Sequence, residues 1–376
     1  MVTMRKDYGK VAMKDRMAWQ FELDEYIRQG EPERMEKSKA WQTAIGLQDV
    51  DGLKTSAYLL DTAKEHIEGK IDIAEARKRI ESYYEKRSER IEGEEDTKEA
   101  DIVSARIAQL LGEKTFQFSP AEWISIHRRL FEGVFDYAGQ IRTYNITKKE
   151  WVLKGDTVMY ASWNSIKETL DYDFNTEKHF SYEGMSMAES VKHLAKFASD
   201  IWQIHPFCEG NTRATAVFMI KYLRSFGFEV ENDTFENHSW YFRNALVRAN
   251  YNDMKNDVYA TTKFLEQFFS NLLMGTKYEL KNRYMHVDYD DCQSVILEKP
   301  KYQFDTLGCT LEELAILKFL VEDNAIKQKE LSERMGKSTI TIKRIMKTLQ
   351  EKNYIRRVGG KRYGRWEVLI GLSEKE

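Results

Sequence analysis

Apolar positions recur three and four residues apart along most of the chain, which is the spacing of one face of an α-helix. The clearest example is residues 184–203. The apolar side of that stretch is formed by Met187, Val191, Leu194, Ala198 and Ile201. Similar spacing predicts helices near residues 71–91, 99–111, 165–174, 211–227, 234–250 and 258–274. Four prolines in 376 residues agree with this, because proline breaks a helix interior. The pattern predicts a mainly α fold.

Residues 141–160 break this periodicity. Two apolar runs, 151–153 and 157–160, flank Lys154-Gly155-Asp156. Short runs of this kind around a glycine turn are typical of a β-hairpin. We therefore expect a small hairpin, carrying Trp151, Val152, Leu153, Val158 and Met159, beside the helices.

A third pattern begins near residue 310. Thr310 and Glu313 form a capping-box sequence that opens a helix, and two more helices are expected at Ile326–Met335 and Ser338–Lys352. Two short strands around Gly359-Gly360 follow. This order resembles a winged helix-turn-helix, with 338–352 as the recognition helix. Its packing residues would be Ile340, Ile342, Ile345, Met346 and Leu349.

Charge gives this last segment a candidate partner. The whole chain carries a formal charge of −3, but residues 337–365 hold ten basic residues and one acidic residue. A local basic face suits double-stranded DNA. The candidate contacts are Ser338, Thr339, Thr341, Lys343, Arg344, Lys347, Arg356 and Arg357. A helical protein–protein module with a solvated basic face is the alternative.

Composition excludes several classes of protein. Apolar residues make up 42% and charged residues 32% of the chain, so a disordered or fibrous protein is excluded. We find neither a membrane span nor a signal peptide. Cys208, Cys292 and Cys309 are too widely spaced for a disulfide framework or a paired metal site. We therefore expect a cytoplasmic protein that does not bind membranes.

Candidate chemistry is concentrated in the stretch His205-Pro206-Phe207-Cys208-Glu209-Gly210-Asn211-Thr212-Arg213, between two predicted helices. A loop that feeds a helix N-terminus points free N–H groups at one place, which favours an anion. Gly210 allows a phosphate to approach the backbone, and Arg213 can bind it through two bonds. Glu209 can ligate Mg²⁺, and His205 is a natural general base. Zinc ligation by His205 and Cys208 is disfavoured, since no second pair has matching spacing.

This stretch resembles the signature of the Fic (Fido) family, His-Pro-Phe-x-Asp/Glu-Gly-Asn-x-Arg. The resemblance implies a fold with a Fic-type helical core and a β-hairpin flap, and an enzyme that transfers AMP from ATP to a Tyr, Thr or Ser hydroxyl of a target protein. His205 would deprotonate that hydroxyl and Glu209 would hold Mg²⁺. Gly210, Asn211 and the amide of Thr212 would form the anion hole, while Arg213 would hold the β-phosphate. The hairpin at 151–160 would be the flap that docks the target.

The sequence departs from the family pattern in two places. Many members continue with a glycine at the position of Thr212 and with a second arginine, for the γ-phosphate, at the position of Ala216. A weaker grip on the γ-phosphate would lower the affinity for ATP or relax the choice of nucleotide. The departure therefore concerns the donor more than the class of reaction.

A second segment resembles the inhibitory helix motif of the same family, Ser/Thr-x-x-x-Glu-Gly/Asn. It consists of Ser88, Glu92 and Gly93, at the end of the predicted helix that begins near residue 71 and stops at Gly93. The resemblance implies that Glu92 enters the γ-phosphate site and blocks productive ATP binding. In relatives this glutamate pairs with the missing second arginine, so Arg213 is a substitute partner. A solvated helix end is the alternative.

The remaining assignments follow from position along the chain. Asn244, on a predicted helix, is a candidate for contact with the nucleotide base. The expected divisions are an N-terminal helical region (1–70), an inhibitory-helix region (71–112), a Fic-like catalytic core (113–275), a linker (276–306) and a winged helix-turn-helix (307–371). Assembly into a homo-oligomer stays open.

Two other functions stay open beside protein adenylylation. One is a DNA-binding transcriptional regulator whose Fic-like core senses a nucleotide with little catalysis, which the loss of the second arginine favours. The other is a Fic-type transferase that uses another donor, such as UMP or phosphocholine, or that removes AMP. Retention of His205 and Glu209 favours an enzyme, because a sensor needs no base.

Overall fold

The structure, a computed structural model, describes residues 19, 25–26, 31–85, 97–228, 230, 233–289, 309–359 and 364–369. Ser88, Glu92 and Gly93 lie outside the described residues. The described helices are α1 (Pro32–Gly46), α2 (Ala57–Ile67), α3 (Ile73–Glu85), α4 (Lys98–Gly112), α5 (Pro120–Phe131), α6 (Ile166–His179), α7 (Met187–Ile204), α8 (Asn211–Ser225), α9 (Asp233–Ala249), α10 (Lys263–Met274), α11 (Leu311–Glu322), α12 (Gln328–Met335) and α13 (Thr339–Glu351). Strands β1 (Ile355–Val358) and β2 (Arg365–Val368) pair antiparallel. The mainly α fold with a C-terminal winged helix-turn-helix is confirmed.

Side-chain caps set where several helices begin. The Ser119 hydroxyl accepts the N–H of Glu122 at the start of α5, where Pro120 occupies the first turn. Ser186 and Glu189 cap α7 reciprocally, and so do Thr310 and Glu313 at α11. These bonds satisfy backbone donors that a helix leaves unpaired at its N-terminus.

The apolar faces form two clusters. The main core gathers side chains from α1 to α10, including Trp41, Trp123, Trp202 and Phe268. A smaller core joins α11, α12, α13 and the wing through Leu331, Leu349, Trp366 and neighbouring residues. Within the described ranges, no helix is both long and apolar enough to cross a membrane.

A buried carboxylate fastens the N-terminal helices to one another. Asp101, on α4, accepts bonds from the N–H and the hydroxyl of Ser56 at 2.9 and 2.5 Å and from the Tyr84 hydroxyl at 2.6 Å. Asp101 is fully buried, so the bonds are needed to offset its desolvation. They join α4 to the start of α2 and to α3, and thereby fix the first turn of α4, where Glu99 lies.

The prediction of a β-hairpin at 151–160 is wrong, because these residues reverse direction without forming strands. Residues 151–153 form a 3₁₀ turn, and the chain reverses through bonds from the N–H of Glu150 to Asp156 O and from the N–H of Gly155 to Glu150 O, both 2.9 Å. In the part of the chain that the structure describes, the wing forms the sheet and 151–160 does not join one. The short apolar runs reflect burial instead of strand pairing, because Val152, Leu153 and Val158 all lie in the main core.

The predicted linker begins with residues that pack on the core. Leu280 and Met285 are buried in it, and the N–H of Val287 donates to Val152 O at 3.0 Å. Their apolar side chains account for this, because burial removes them from water. Residues 290–308, the rest of the predicted linker, lie outside the described residues.

The winged helix matches its prediction except at one position. Ile342, Ile345, Met346 and Leu349 are buried as expected, but Ile340 is 78% exposed. Ile340 stands two residues before Ile342, on the other side of a helix whose buried positions recur every three or four residues. Lys361 and Arg362 of the wing fall outside the described residues.

Gly46 tests the packing of α1 on α9. A Cβ at Gly46 would lie 2.5 Å from the Glu236 backbone, although its φ of −62° suits alanine. We expect Gly46→Ala to lower the free energy of unfolding by about 1–3 kcal/mol, because backbone cannot easily move aside. Gly112→Ala is the control, since nothing lies within 4 Å of its Cβ. Urea unfolding measures both variants, and equal effects would contradict this close approach.

Candidate active site

The loop between α7 and α8 turns through two left-handed residues. His205 ends α7 with φ 47° and ψ 58°, and Gly210 precedes α8 with φ 76°. A Cβ at Gly210 would lie 2.3 Å from the Phe131 ring. Only glycine fits there, because a side chain would meet both the strain of positive φ and this ring. Helix α8 therefore begins directly at this glycine, and the N–H groups of its first turn, which a helix leaves unpaired, are the candidate anion site.

Buried side chains hold the loop backbone. Asn211 accepts the N–H of Phe207 at 3.0 Å and donates to Phe207 O at 2.8 Å. Arg142, which is 3% exposed, donates from Nε to His205 O at 2.8 Å. The Asn211 side chain is thus committed to the loop, and its backbone N–H is the group at the helix end. Thr212 is similarly committed, since its hydroxyl accepts the Trp202 indole N–H at 2.9 Å.

His127 braces the loop from α5. Its Nδ1 accepts the N–H of Gly139 at 2.9 Å, so Nε2 carries the hydrogen and donates to Glu209 O at 2.9 Å. The ring stacks on fully buried Phe207 at 3.6 Å, so Phe207 anchors the loop in the core. Burial lowers the pKa of His127 to about 4, so this imidazole is neutral at pH 7.

His205 has the environment of a general base. Its Nδ1 lies 3.3 Å from Trp202 O and can donate to it, which leaves the Nε2 lone pair free. Nε2 is buried and has no partner among the described residues. The ring stacks on Tyr160 at 4.1 Å. Burial and the charge of Lys148 hold the pKa of His205 well below its usual range, so the ring is neutral and can accept a proton.

Glu209 faces outward at the mouth of the loop. Its side chain is 50% exposed, and Oε2 lies 2.6 Å from Lys148 Nζ. One carboxylate at a phosphate cradle fits Mg²⁺ that arrives with nucleotide phosphates, because Mg²⁺ is commonly held by one or two carboxylates plus substrate oxygens. In the described part of the chain, no group of three or more His, Cys, Asp and Glu residues gathers as a closed metal cage.

The sequence led us to expect Arg213 at a phosphate, but its charge is already paired within the protein. Its side chain is 2% exposed, and its guanidinium pairs with Asp51 at 2.8 Å and Glu99 at 2.6 Å. It also donates to Gln48 Oε1 at 3.1 Å and lies over the Phe131 ring. Carboxylates from the N-terminal helices therefore neutralise the guanidinium that was expected to bind phosphate.

Two regions of the chain match known family models. Residues 117–223 match the Fic/DOC family, and residues 313–356 match a winged helix-turn-helix DNA-binding family. The chain carries a Fic/DOC domain. This domain contains α5 to α8 and the whole loop described above.

Three relatives share this region at modest identity. The chain is 26% identical over 164 residues to the probable protein adenylyltransferase y4lH of Sinorhizobium fredii (strain NBRC 101917 / NGR234), which covers 42% of this chain and 78% of that protein. It is 28% identical to the probable protein adenylyltransferase Fic of Escherichia coli (strain K12), covering 31% and 55%. It is 22% identical to the protein adenylyltransferase VbhT of Bartonella schoenbuchensis (strain DSM 13525 / NCTC 13165 / R1), covering 44% and 33%. The matches thus span about half of the second relative and a third of the third.

A solved structure is also similar. The crystal structure of a Fic family protein from Desulfovibrio desulfuricans G20 aligns with a TM-score of 0.43 at 12% identity. The alignment covers 96% of this chain and 97% of that one.

Several predicted site residues are buried in the structure. Asn244, on α9, is fully buried; its amide donates to Asn282 Oδ1 at 2.8 Å, and its own Oδ1 has no partner in the described ranges. Of the five flap candidates, Trp151 and Met159 are exposed by 51% and 83%. Burial of Val152, Leu153 and Val158 removes them as contacts for a target.

Sequence reasoning missed four residues that shape the Fic/DOC loop. These are His127, Arg142, Lys148 and Tyr160. The signal in each case was weak: Arg142 and Lys148 read as ordinary surface charges, and His127 and Tyr160 as members of apolar faces. Their partners lie far away in sequence, so local spacing does not indicate them.

The depressed pKa of His127 predicts loss of stability in acid. Below pH 6.5 the unfolded chain binds a proton at this histidine, whereas the folded chain does so only near its pKa of about 4. The free energy of unfolding therefore falls as the pH falls, by about 2 kcal/mol at pH 5 from this residue. His127→Gln can keep both bonds and does not titrate. Urea unfolding at pH 7.5 and pH 5 should show the difference between wild type and variant shrink by that amount, and a constant difference would contradict it.

Proposed function

We propose that this protein is an adenylyltransferase that transfers AMP from ATP to a hydroxyl side chain of a target protein. The observation that carries the proposal is the buried Nε2 of His205, which has no partner among the described residues and lies in the loop that leads into the N-terminus of α8. A base and an anion site in contact are what hydroxyl attack on a phosphate requires. The three relatives named as adenylyltransferases support this choice of reaction.

In this reaction His205 accepts a proton, and the N-terminus of α8 binds the phosphates. Nε2 accepts the proton of a Tyr, Thr or Ser hydroxyl while its oxygen bonds to the α-phosphorus of ATP. The bond from that phosphorus to the bridging oxygen breaks, and diphosphate leaves with the electron pair. Backbone N–H groups of Gly210, Asn211 and Thr212 stabilise the charge that develops on the phosphoryl oxygens.

Glu209 would hold Mg²⁺ in this scheme. When bound, Mg²⁺ would neutralise negative charge on the phosphates. Glu209 suits this task because its carboxylate is half exposed and lies at the cradle. Lys148 must release that carboxylate for a cation to reach it.

Target docking and control involve other segments. Trp151 and Met159 offer exposed apolar side chains at the turn beside His205 for an extended target segment.

Glu92 is proposed to restrain the site in the absence of a signal, with Ser88 and Gly93 as parts of its helix end. Arg213 would reach the β-phosphate only by exchanging Asp51 and Glu99 for phosphate oxygens. Asn244, whose Oδ1 is unpartnered among the described residues, is proposed to face the nucleotide base.

Labelled AMP transfer tests the reaction. With α-labelled ATP and Mg²⁺, we expect Glu92→Gly to label protein well above wild type and Glu92→Gly with His205→Ala to give no label. The physical reason is that the second variant lacks the proton acceptor. Each protein is assayed with and without cell lysate.

Two outcomes would change the proposal. Equal labelling by wild type and Glu92→Gly would reduce Ser88–Gly93 to an ordinary helix end. No label in any variant, with ATP binding intact, would favour the second candidate, a DNA-binding regulator whose Fic/DOC domain senses a nucleotide. The observations behind that candidate are Ala216 in place of the second arginine and the ion pairs of Arg213. Label from a UMP or phosphocholine donor instead would identify a different transferase.

We also propose that α13 binds double-stranded DNA. Ser338 caps α13 by accepting the N–H of Thr341 at 3.1 Å, which orients the helix start. The side chains of Thr339, Lys343, Arg344 and Lys347 are exposed along it. Arg356 and Arg357 are exposed on β1, where they suit backbone phosphates. The match to a winged helix-turn-helix DNA-binding family supports this assignment.

Charge reversal tests the DNA surface. Lys343→Glu with Arg344→Glu should weaken binding to a pool of mixed-sequence duplexes by about tenfold or more, because contacts with phosphates are lost. The same loss should reduce the salt dependence of binding. Lys329→Glu on α12, 84% exposed in its side chain, is the control for a charge reversal outside α13 and should bind as wild type does. Fluorescence anisotropy measures all three. Equal weakening by the control, or no binding by wild type, would contradict a DNA-binding α13.

A further inference from the structure

The cradle lacks the cations that its motif would present to a polyphosphate. Ala216, at the position of the second arginine, is fully buried in the main core. The guanidinium of Arg213 is already paired with Asp51 and Glu99. The phosphates of a nucleotide carry several negative charges, and α8 alone offers only a fractional positive charge at its N-terminus. A further cation is needed at the mouth of the loop.

Lys148 is a cation at that mouth. Its Nζ lies 2.6 Å from Glu209 Oε2, and its side chain is 23% exposed. After burial, the charge of Lys148 is the largest influence holding down the pKa of His205. The ammonium therefore acts electrostatically on the proposed base and pairs directly with the proposed metal ligand.

Other cations near the loop are engaged elsewhere. Arg142 donates to the carbonyl oxygens of His205, Tyr144, Ala161 and Ile204. Arg243 forms two bonds with the buried carboxylate of Glu150, at 2.8 and 2.9 Å. Lys148 differs because its carboxylate partner is half exposed. Such a pair is worth little on its own.

The backbone of Lys148 is fixed while its side chain is long. Its N–H donates to the Thr157 hydroxyl at 3.1 Å, and residues 150–156 close the adjoining turn by backbone bonds. A lysine on a fixed backbone can swing its ammonium through a flexible four-carbon stem. Phosphate oxygens are stronger partners for it than a solvated carboxylate.

We propose that Lys148 is a nucleotide-binding residue whose ammonium leaves Glu209 and contacts the polyphosphate, supplying the charge that Ala216 does not. The proposal rests on nucleotide binding at the proposed active site and does not depend on AMP transfer. Lys148 then has two alternating partners, the carboxylate of Glu209 and the phosphates of the nucleotide. In the absence of nucleotide Lys148 neutralises Glu209, and with nucleotide it grips the β- and γ-phosphates beside the helix end.

Nucleotide affinity tests the proposal without turnover. In the full chain with Glu92→Gly and His205→Ala, which removes the proposed restraint and turnover, Lys148→Met should raise the Kd of ATP and ADP with Mg²⁺ about tenfold or more. The Kd of AMP should change less than about twofold, because AMP lacks the outer phosphates. Lys148→Arg should retain most of the affinity for ATP. Isothermal titration calorimetry gives each Kd.

Lys154→Met is the matched control. Lys154 lies in the same turn and pairs with Asp288, so the variant removes an equivalent charge and ion pair six residues away. It should bind ATP as the parent does. Circular dichroism and thermal unfolding check that each variant folds.

Each other result contradicts the proposal in its own way. Unchanged or tighter ATP binding in Lys148→Met would mean that Lys148 only screens Glu209. Equal losses for ATP and AMP would mean that it supports the loop and not the outer phosphates. No binding of any nucleotide by the parent would overturn this inference and the proposed function together. A selective loss of ATP and ADP affinity in a protein that transfers no AMP would support the role of Lys148 while rejecting the transferase.

Discussion

The loop between α7 and α8 depends on the close approach of Gly210 to Phe131. That contact leaves no room for a Cβ, and it brings the start of α8 against α5. From there His127 can reach Glu209 O and stack on Phe207. The loop backbone is thus bonded to side chains from other elements, and its shape does not depend on a ligand. Preorganised N–H groups of this kind are effective because they need no rearrangement when charge develops.

Charge is distributed unequally around this loop. The guanidinium of Arg213 is buried between Asp51 and Glu99, which ties α8 to the N-terminal helices. Removing one partner from such a buried pair is costly, since the remaining charge stays desolvated. Lys148 and Glu209, by contrast, meet at the surface, where partners exchange at little cost. The rigid pairs therefore support the scaffold, and the exchangeable pair lies where a charged ligand would arrive.

The Fic/DOC domain and the winged helix meet at helix ends. Gly227 follows α8, and a Cβ there would lie 2.9 Å from the Met335 side chain at the end of α12. Lys318 of α11 donates to Leu273 O, at the end of α10, at 2.6 Å. The positive charge of a lysine at a helix C-terminus also interacts favourably with the helix dipole. Because Leu311 and Leu314 join the main core, α11 belongs to both packing units.

The sequence by itself determined the helices, the loop motif and the winged helix, because each depends on local signals. A period of 3.6 residues indicated α7, a capping pair opened α11, and the order from His205 to Arg213 placed a base and a glycine turn at a helix start. Only the tertiary structure decided which charges meet. Lys148 lies 61 residues from Glu209, His127 lies 82 residues from the oxygen it bonds, and Arg213 takes its carboxylates from segments far upstream. The burial of Val152, Leu153 and Val158 was decided in the same way. Local periodicity reports which face of a segment is apolar, but long-range packing decides what covers that face and which polar group stands opposite.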